Sequence, residues 1–216
     1  MNFDTLAPHY RWMEWLLAGG KLQRCRVAFL SEVQHARNVL LLGEGNGRFL
    51  TSFVQANRTA RITVVDASLE MLRQAQRRIA SLAAEGAAGR VQYVHADVFS
   101  WSPPKQRFDL IATNFFFDCF RADQLATLIP QLAASATTNA RWLVSDFQIP
   151  ARGFVHWRAR CIVTLMYQFF RTVTRLPARA ITPVDSLLQN AGFQLCARRV
   201  SEWGLLHTDL WQRIQH

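Results

Sequence analysis

The sequence predicts an α/β fold of Rossmann-like type: a seven-stranded, mostly parallel sheet with helices on both faces and a C-terminal antiparallel hairpin. Three observations predict it. Short apolar runs alternate with helical stretches through the middle of the chain, the pattern of strands buried on both faces by crossover helices. A glycine-rich turn, Gly43-Glu44-Gly45-Asn46-Gly47, follows the first of those runs directly and opens a helix. Two further apolar runs after Gly192 have no helical stretch between them, so they pair antiparallel.

The elements follow in order. Val39–Leu42, Ile62–Val65, Val91–Val94, Leu110–Thr113 and Trp142–Ser145 read as five buried strands. Between them, Arg48–Ala56, Leu69–Ala84 and Ala122–Ala136 have helical periodicity. Pro183–Ala191 reads as a helix stopped by Gly192, with Phe193–Val200 and Leu205–Gln212 as the closing strands. Residues 8–35 read as one or two helices broken at Gly19-Gly20, and 151–178 as an aromatic, Arg-rich helical segment after a strand that ends at Pro150. The expected organisation is one domain, 1–216. It comprises a helical N-terminal cap (1–35), a cofactor-binding core (36–150), a helical lid or insertion after strand 5 (151–180), and a last helix with two strands (181–216).

Composition agrees with one globular domain. With 216 residues, 50% apolar and 19% charged, the chain buries enough surface to fold without disulfides or a structural metal, and disorder, collagen and coiled coil are excluded. The formal charge is +10, and apart from Lys21 and Lys105 every basic residue is Arg. That charge suits either a cationic surface for nucleic acid or anionic lipid, or solvated faces rich in Arg, since no block of five or six like charges occurs. Cys25, Cys119, Cys161 and Cys196 are far apart and form no CxxC, as expected of reduced thiols in a cytoplasmic protein. The first ten residues carry an acid where a signal peptide carries positive charge. The longest apolar stretch, Cys161–Phe170, is well short of the roughly 18 residues a membrane span needs.

The glycine turn sits between a strand and a helix, the context in which such a turn binds a nucleotide. Asp66 ends the second strand, 19 residues after Gly47, where a carboxylate can accept both hydroxyls of a ribose. Ser68 is available to cap the following helix, which leaves Asp66 free of that task. Asp97, after the third strand, lies at the same edge of the sheet and can accept from an exocyclic amine. A dinucleotide and an adenosyl sulfonium both fit this much, and spacing separates them. The dinucleotide loop is GxGxxG, and here Arg48 stands where its third glycine belongs. The Tyr-x-x-x-Lys pair of short-chain dehydrogenases is absent, because Tyr10, Tyr93 and Tyr167 are followed four residues on by Glu14, Asp97 and Arg171.

The chain resembles a class I S-adenosylmethionine-dependent methyltransferase. LLLGEGNGRF (40–49) is similar to that family's glycine loop, VVDASLEML (64–72) to its ribose-binding segment, HADVFSW (95–101) to its adenine segment and FDLIATNFFFDCF (108–120) to its fourth strand and active-site turn. The opening FDTLAPHYRWMEWLLAGGKLQR is similar to the cap of ubiquinone and menaquinone biosynthesis methyltransferases. The resemblance implies S-adenosyl-L-methionine as cofactor. It places Gly43, Gly45 and Gly47 on its methionine half, Asp66 with Ala67 and Met71 on the ribose side, Asp97 and Val98 at the adenine, and Asn114 and Phe115 beside the transferring methyl. The family usually carries an acid two residues before the first glycine, where this chain has Leu41; Glu44 or a water molecule is the candidate to hold the ammonium instead.

The fourth-strand turn lacks the Asn/Asp-Pro-Pro-aromatic pattern of enzymes that methylate planar amines, so a small apolar or aromatic acceptor is expected. An RNA methyltransferase, suggested by the charge, and a non-catalytic S-adenosylmethionine-binding domain, suggested by Leu41, are the alternatives. For a hydroxyl acceptor the candidate bases are His156 and Asp118, followed by His95 and His207, with Tyr10 closing over the cofactor from the cap. No metal is expected, for want of a His/Asp/Glu cluster at ligand spacing. The 151–178 segment, with His156, Trp157, Met166, Tyr167, Phe169, Phe170 and Arg171, reads as a lid over an apolar pocket, as an amphipathic helix packed on the core, or as a membrane-surface helix. A monomer or homodimer without a membrane span is expected.

Overall fold

The computed structural model describes residues 20–82, 86–174 and 180–214. Seven strands, β1 (Asn38–Leu42), β2 (Arg61–Asp66), β3 (Val91–His95), β4 (Phe108–Asn114), β5 (Ala136–Phe147), β6 (Phe193–Ser201) and β7 (Leu206–Arg213), form one sheet in the order β3-β2-β1-β4-β5-β7-β6. β1 to β5 run parallel, and β7 pairs antiparallel with both β5 and β6. The helices are α1 (Lys21–Arg26), α2 (Leu30–Val33), α3 (Arg48–Ala56), α4 (Leu69–Ala80), α5 (Ala122–Ala133), α6 (Phe154–Thr174) and α7 (Asp185–Asn190).

Side-chain alternation explains why the strands read as unbroken apolar runs. Leu40 and Leu42 face one layer, packed with Ile111, Trp142, Leu125, Leu128 and Leu188. Val39 and Leu41 face the other, packed with Phe49, Phe53, Leu72, Ala75 and Val33. Both faces are covered by helices, so neither set of positions is polar. A third cluster joins α1 and α6 to the end of β5: Leu22, Cys25, Phe147, Ala159, Val163, Met166 and Tyr167.

Two helices end earlier than the sequence reading places them, and the fifth strand begins earlier. α4 stops at Ala80 rather than Ala84, because the Ser81 hydroxyl donates to the Arg78 carbonyl at 2.8 Å and competes with helix continuation. α5 stops at Ala133, where Ser135 Oγ donates to the Leu132 carbonyl at 2.6 Å. β5 then begins at Ala136, and a bulge opposite Phe108–Leu110 lets it run for twelve residues.

The strand order reverses at β1: β2 and β3 lie on one side, β4 and β5 on the other. In parallel register Leu42 stands level with Val65 and Thr113. Gly43, Asp66 and Asn114 therefore leave the sheet side by side at the carboxyl ends of β1, β2 and β4, the position where open α/β sheets bind ligands.

Candidate active site

The glycine loop is conformationally demanding. Gly43, Gly45 and Gly47 have φ of +60°, +63° and +81°, a region that L side chains resist. Close packing adds a second requirement at two of them: a Cβ on Gly43 meets Phe116 Cδ2 at 2.4 Å, and one on Gly47 meets the Cα and Cβ of Ala75 in α4 at 2.9 Å. The loop is fastened to Asp66, whose Oδ2 accepts the Gly45 N–H at 3.1 Å and whose Oδ1 accepts the Ser68 N–H at 2.9 Å. Ser68 caps α4, its hydroxyl accepting the Met71 N–H at 3.2 Å. An ionised carboxylate offers about four lone-pair sites in all.

Leu41 is fully buried in the α3/α4 layer, so nothing polar reaches the site from that position. Glu44 is partly buried, and Oε1 accepts the Leu50 N–H of α3 at 2.8 Å. It serves the helix start that Gly47, at the N-cap, has no side chain to serve. Burial pushes its carboxyl up to about 7, against the opposing effects of the Leu50 N–H and of the Arg26 charge. Arg26 is itself buried and lies over the Phe115 ring at 5.1 Å.

These facts fix a pH effect. A carboxyl titrating higher in the fold than its ordinary 4.5 favours folding below that value, and the contribution is lost as pH rises through about 7. Glu44→Gln keeps an acceptor for Leu50. Urea unfolding is expected to find it equal to the native chain at pH 4 and more stable by on the order of 2 kcal/mol at pH 8.5; no gain at pH 8.5 contradicts the assignment.

The turn after β4 supplies the opposite wall. Asn114 is buried, and among the described residues its Oδ1 has no hydrogen-bond partner. Phe115 stands at φ +54°, a strained conformation for an aromatic residue. Its N–H donates to the Ser145 carbonyl at 2.7 Å, and its ring lies 5.2 Å from that of Phe147. Phe116 packs edge-on against Phe120 at 5.0 Å, and Phe120 likewise against Phe99 at 5.4 Å.

Behind this wall, Asp118 and Asp146 are both buried, and the Asp118 N–H donates to Asp146 Oδ2 at 3.2 Å. The Cys119 thiol donates to Asp118 Oδ1 at 3.6 Å, and the Tyr167 hydroxyl of α6 donates to the Asp118 carbonyl at 2.9 Å. Burial holds both carboxyls above the usual carboxylate range, Asp146 the further because Asp118 faces it.

The remaining residues named from the sequence are dispersed. Ala67 follows β2 and is partly buried, while Met71 and Val98 are buried. Asp97 is exposed at the edge beyond β3, with Oδ1 accepting the Phe99 N–H at 3.0 Å. His156 Nδ1 lies 2.8 Å from the Pro150 carbonyl and ties down the first turn of α6. His95 Nε2 lies 3.1 Å from the Ala67 carbonyl. His207 is buried on β7, with Nδ1 3.1 Å from Asp209 Oδ1. Tyr10, and the side chains of Phe169, Phe170 and Arg171, lie outside the described residues. Sequence reasoning missed Arg26 and Asp146. The first is one of 25 scattered basic residues, and the second is an acid in an apolar run, so neither carries a signal before the chain folds.

The donor set fits a cationic nucleoside. Of the 15 acids in a chain of charge +10, Glu44, Asp66, Asp118 and Asp146 gather near this edge, with the unpartnered Asn114 Oδ1 beside them. An ammonium or sulfonium gains from those carboxylates, and a ribose diol from Asp66. Among the described residues, no three His, Cys, Asp or Glu side chains gather as metal ligands.

Residues 39–139, a little under half of the chain, match the family described as a methyltransferase domain. No curated protein matches the chain in sequence. Among solved structures, the mitomycin 7-O-methyltransferase MmcR superposes with a TM-score of 0.73 at 17% identity, covering 99% of this chain and 61% of its own. An O-methyltransferase family 2 protein from Planctomyces limnophilus, in complex with apigenin, gives 0.70 at 16%, covering 98% and 62%. The Burkholderia thailandensis 1,6-didemethyltoxoflavin-N1-methyltransferase, bound to its namesake compound and S-adenosylhomocysteine, gives 0.65 at 17%, covering 98% and 88%. The chain thus spans about three-fifths of the first two structures, and at these identities the likeness is one of fold.

Residues 39–139 thus match a methyltransferase domain in sequence, and the fold of the chain is that of the solved methyltransferase structures.

Proposed function

We propose that the chain transfers the methyl group of S-adenosylmethionine to a small, apolar or aromatic acceptor. The observation that carries this reading is the Asn114–Asp118 turn. It sets aromatic rings and a buried acid pair beside the glycine loop, and α6 covers it through Tyr167. The left-handed glycines of the loop let its backbone approach the cofactor closely, Asp66 takes its ribose, and Asn114 Oδ1 accepts from its ammonium; Asp97 and Val98 flank the adenine. The cofactor brings an already activated methyl, so aligning the acceptor at about 3–3.5 Å supplies much of the acceleration. The named compounds of the fold neighbours, mitomycin, apigenin and 1,6-didemethyltoxoflavin, are in keeping with an acceptor of this kind. The cytoplasm is the proposed location, as the four cysteines are free.

Asp118 is the proposed base for a hydroxyl acceptor. Its carboxylate takes the hydroxyl proton as the oxygen–methyl bond forms and the methyl–sulfur bond breaks, leaving S-adenosylhomocysteine. Asp146 holds Asp118 in place by accepting its N–H, and burial raises the basicity of the Asp118 carboxylate. His156 is the second candidate, with Nδ1 on Pro150 and Nε2 left to act. A screen of phenols, quinols and lipid-like acids for S-adenosylhomocysteine release tests the function. On the best acceptor, Asp118→Asn is expected to lower kcat by about 10²- to 10³-fold with cofactor affinity within about threefold; an unchanged kcat removes Asp118 from the chemistry.

A further inference from the structure

The long helix α6 has two apolar faces, and among the described residues only one is covered. Ala159, Val163, Met166 and Tyr167 point into the protein. At about 100° per residue, Phe154, Trp157, Cys161 and Leu165 fall within an arc of roughly 80° on the opposite side. There Phe154 is 82% exposed, Trp157 68% and Leu165 66%. Next to the start of α6, the turn Glu202–Gly204 presents a second large apolar side chain, Trp203, 76% exposed. Arg158 Nη1 donates to the Glu202 carbonyl at 3.3 Å, and a Cβ on Gly204 meets Pro150 Cγ at 2.7 Å, so turn and helix are packed together. Glu202 and Trp203 are held at φ +53° and +61°, conformations that persist only where the surroundings impose them. The strain thus holds an indole in the solvent.

The charge around this patch has one sign. Residues 151–174 contain Arg152, Arg158, Arg160 and Arg171 and no acid, and Arg152 and Arg160 are exposed. Glu202, in the turn beside the helix, is paired with Lys21 at 2.5 Å, and Arg24 lies 4.0 Å from it. Exposed Phe, Trp and Leu on a helix flanked by Arg, in a chain of charge +10, is the composition of a helix lying in a membrane interface. The helix is not a span: among the described residues, none is long and apolar enough to cross a membrane.

We propose that the outer face of α6, with Trp203, docks the protein on an anionic bilayer surface. Aromatic side chains enter the headgroup boundary while Arg152 and Arg160 meet lipid phosphates. The site then lies close to the surface, in reach of an acceptor partitioned into the membrane. Docking itself does not rest on the methyltransferase reading, since binding is measured without turnover.

The test is co-flotation of the full chain with vesicles of phosphatidylcholine containing 30% phosphatidylglycerol, beside pure phosphatidylcholine. Expected is a partition coefficient at least about tenfold higher on the anionic vesicles, falling at least about threefold at 0.5 M salt. Phe154→Ser/Trp157→Ser is expected to cut it at least about tenfold with the thermal midpoint unchanged. Equal partition on both vesicles, or full retention in the double variant, overturns the proposal. So does a fall in midpoint of several degrees in that variant, which shows the stripe is covered within the chain. A concentration-dependent dimer that the variant abolishes assigns the face to a second copy instead, and binding to a single-stranded RNA but not to vesicles assigns it to nucleic acid.

Discussion

Asp66→Ala is expected to weaken S-adenosylmethionine binding by at least about a hundredfold. Two hydrogen bonds from ribose hydroxyls to a carboxylate are worth about 1.5–3 kcal/mol each, which converts to roughly 10²–10³ in Kd even with imperfect geometry. The substitution also releases the Gly45 and Ser68 amides that the carboxylate now holds, so the loop loses its anchor together with the ligand. Asp66→Asn retains one good acceptor and is expected to lose about tenfold. Calorimetric titration measures both, and an Asp66→Ala chain that binds as the native one does shows that the ribose lies elsewhere.

Gly43→Ala is expected to damage fold and site together. The left-handed backbone alone costs about 1–2 kcal/mol for a residue with a Cβ. The methyl also lands 2.4 Å from the Phe116 ring, and that ring is wedged between Phe117 and Phe120 at 5.8 and 5.0 Å, so it cannot swing away. Overpacking of this kind adds about 1–3 kcal/mol. The expected sum, about 2–5 kcal/mol by urea unfolding, comes with loss of cofactor binding, because moving Phe116 moves Asn114 and Phe115 with it. Gly153→Ala separates the two contributions: its φ is +84° with nothing within 4 Å, so only the backbone cost is expected there. A Gly43→Ala chain no less stable than Gly153→Ala means that Phe116 does not pack against the loop as described.

The sheet was legible because its signal is local. Each of the five parallel strands was readable as an apolar run, and the glycine loop and Asp66 fall within one strand–helix–strand unit of the sequence. The element ends were less legible, since Ser81 and Ser135 stop α4 and α5 through side-chain hydrogen bonds that helical periodicity does not report. The covered and uncovered faces of α6 were not separable at all: Ala159, Val163 and Met166 recur with the same helical spacing as Phe154, Trp157 and Leu165, and only packing against Phe147 and Leu206 chooses between them. The same holds for the acid pair. Asp118 and Asp146 are 28 residues apart in the chain, and β4–β5 pairing brings them together. Leu41 shows the converse, a departure from the family pattern whose consequence depends on where Glu44 turns, and Glu44 turns to α3.

The most direct test of the central claim is titration of S-adenosylmethionine, S-adenosylhomocysteine and NAD into the full chain by calorimetry. Binding of both sulfur nucleosides, with none of NAD, is the predicted result. Binding of NAD in their place, or of none of the three, contradicts the assignment of the glycine loop, Asp66 and Asn114 to a methyl donor.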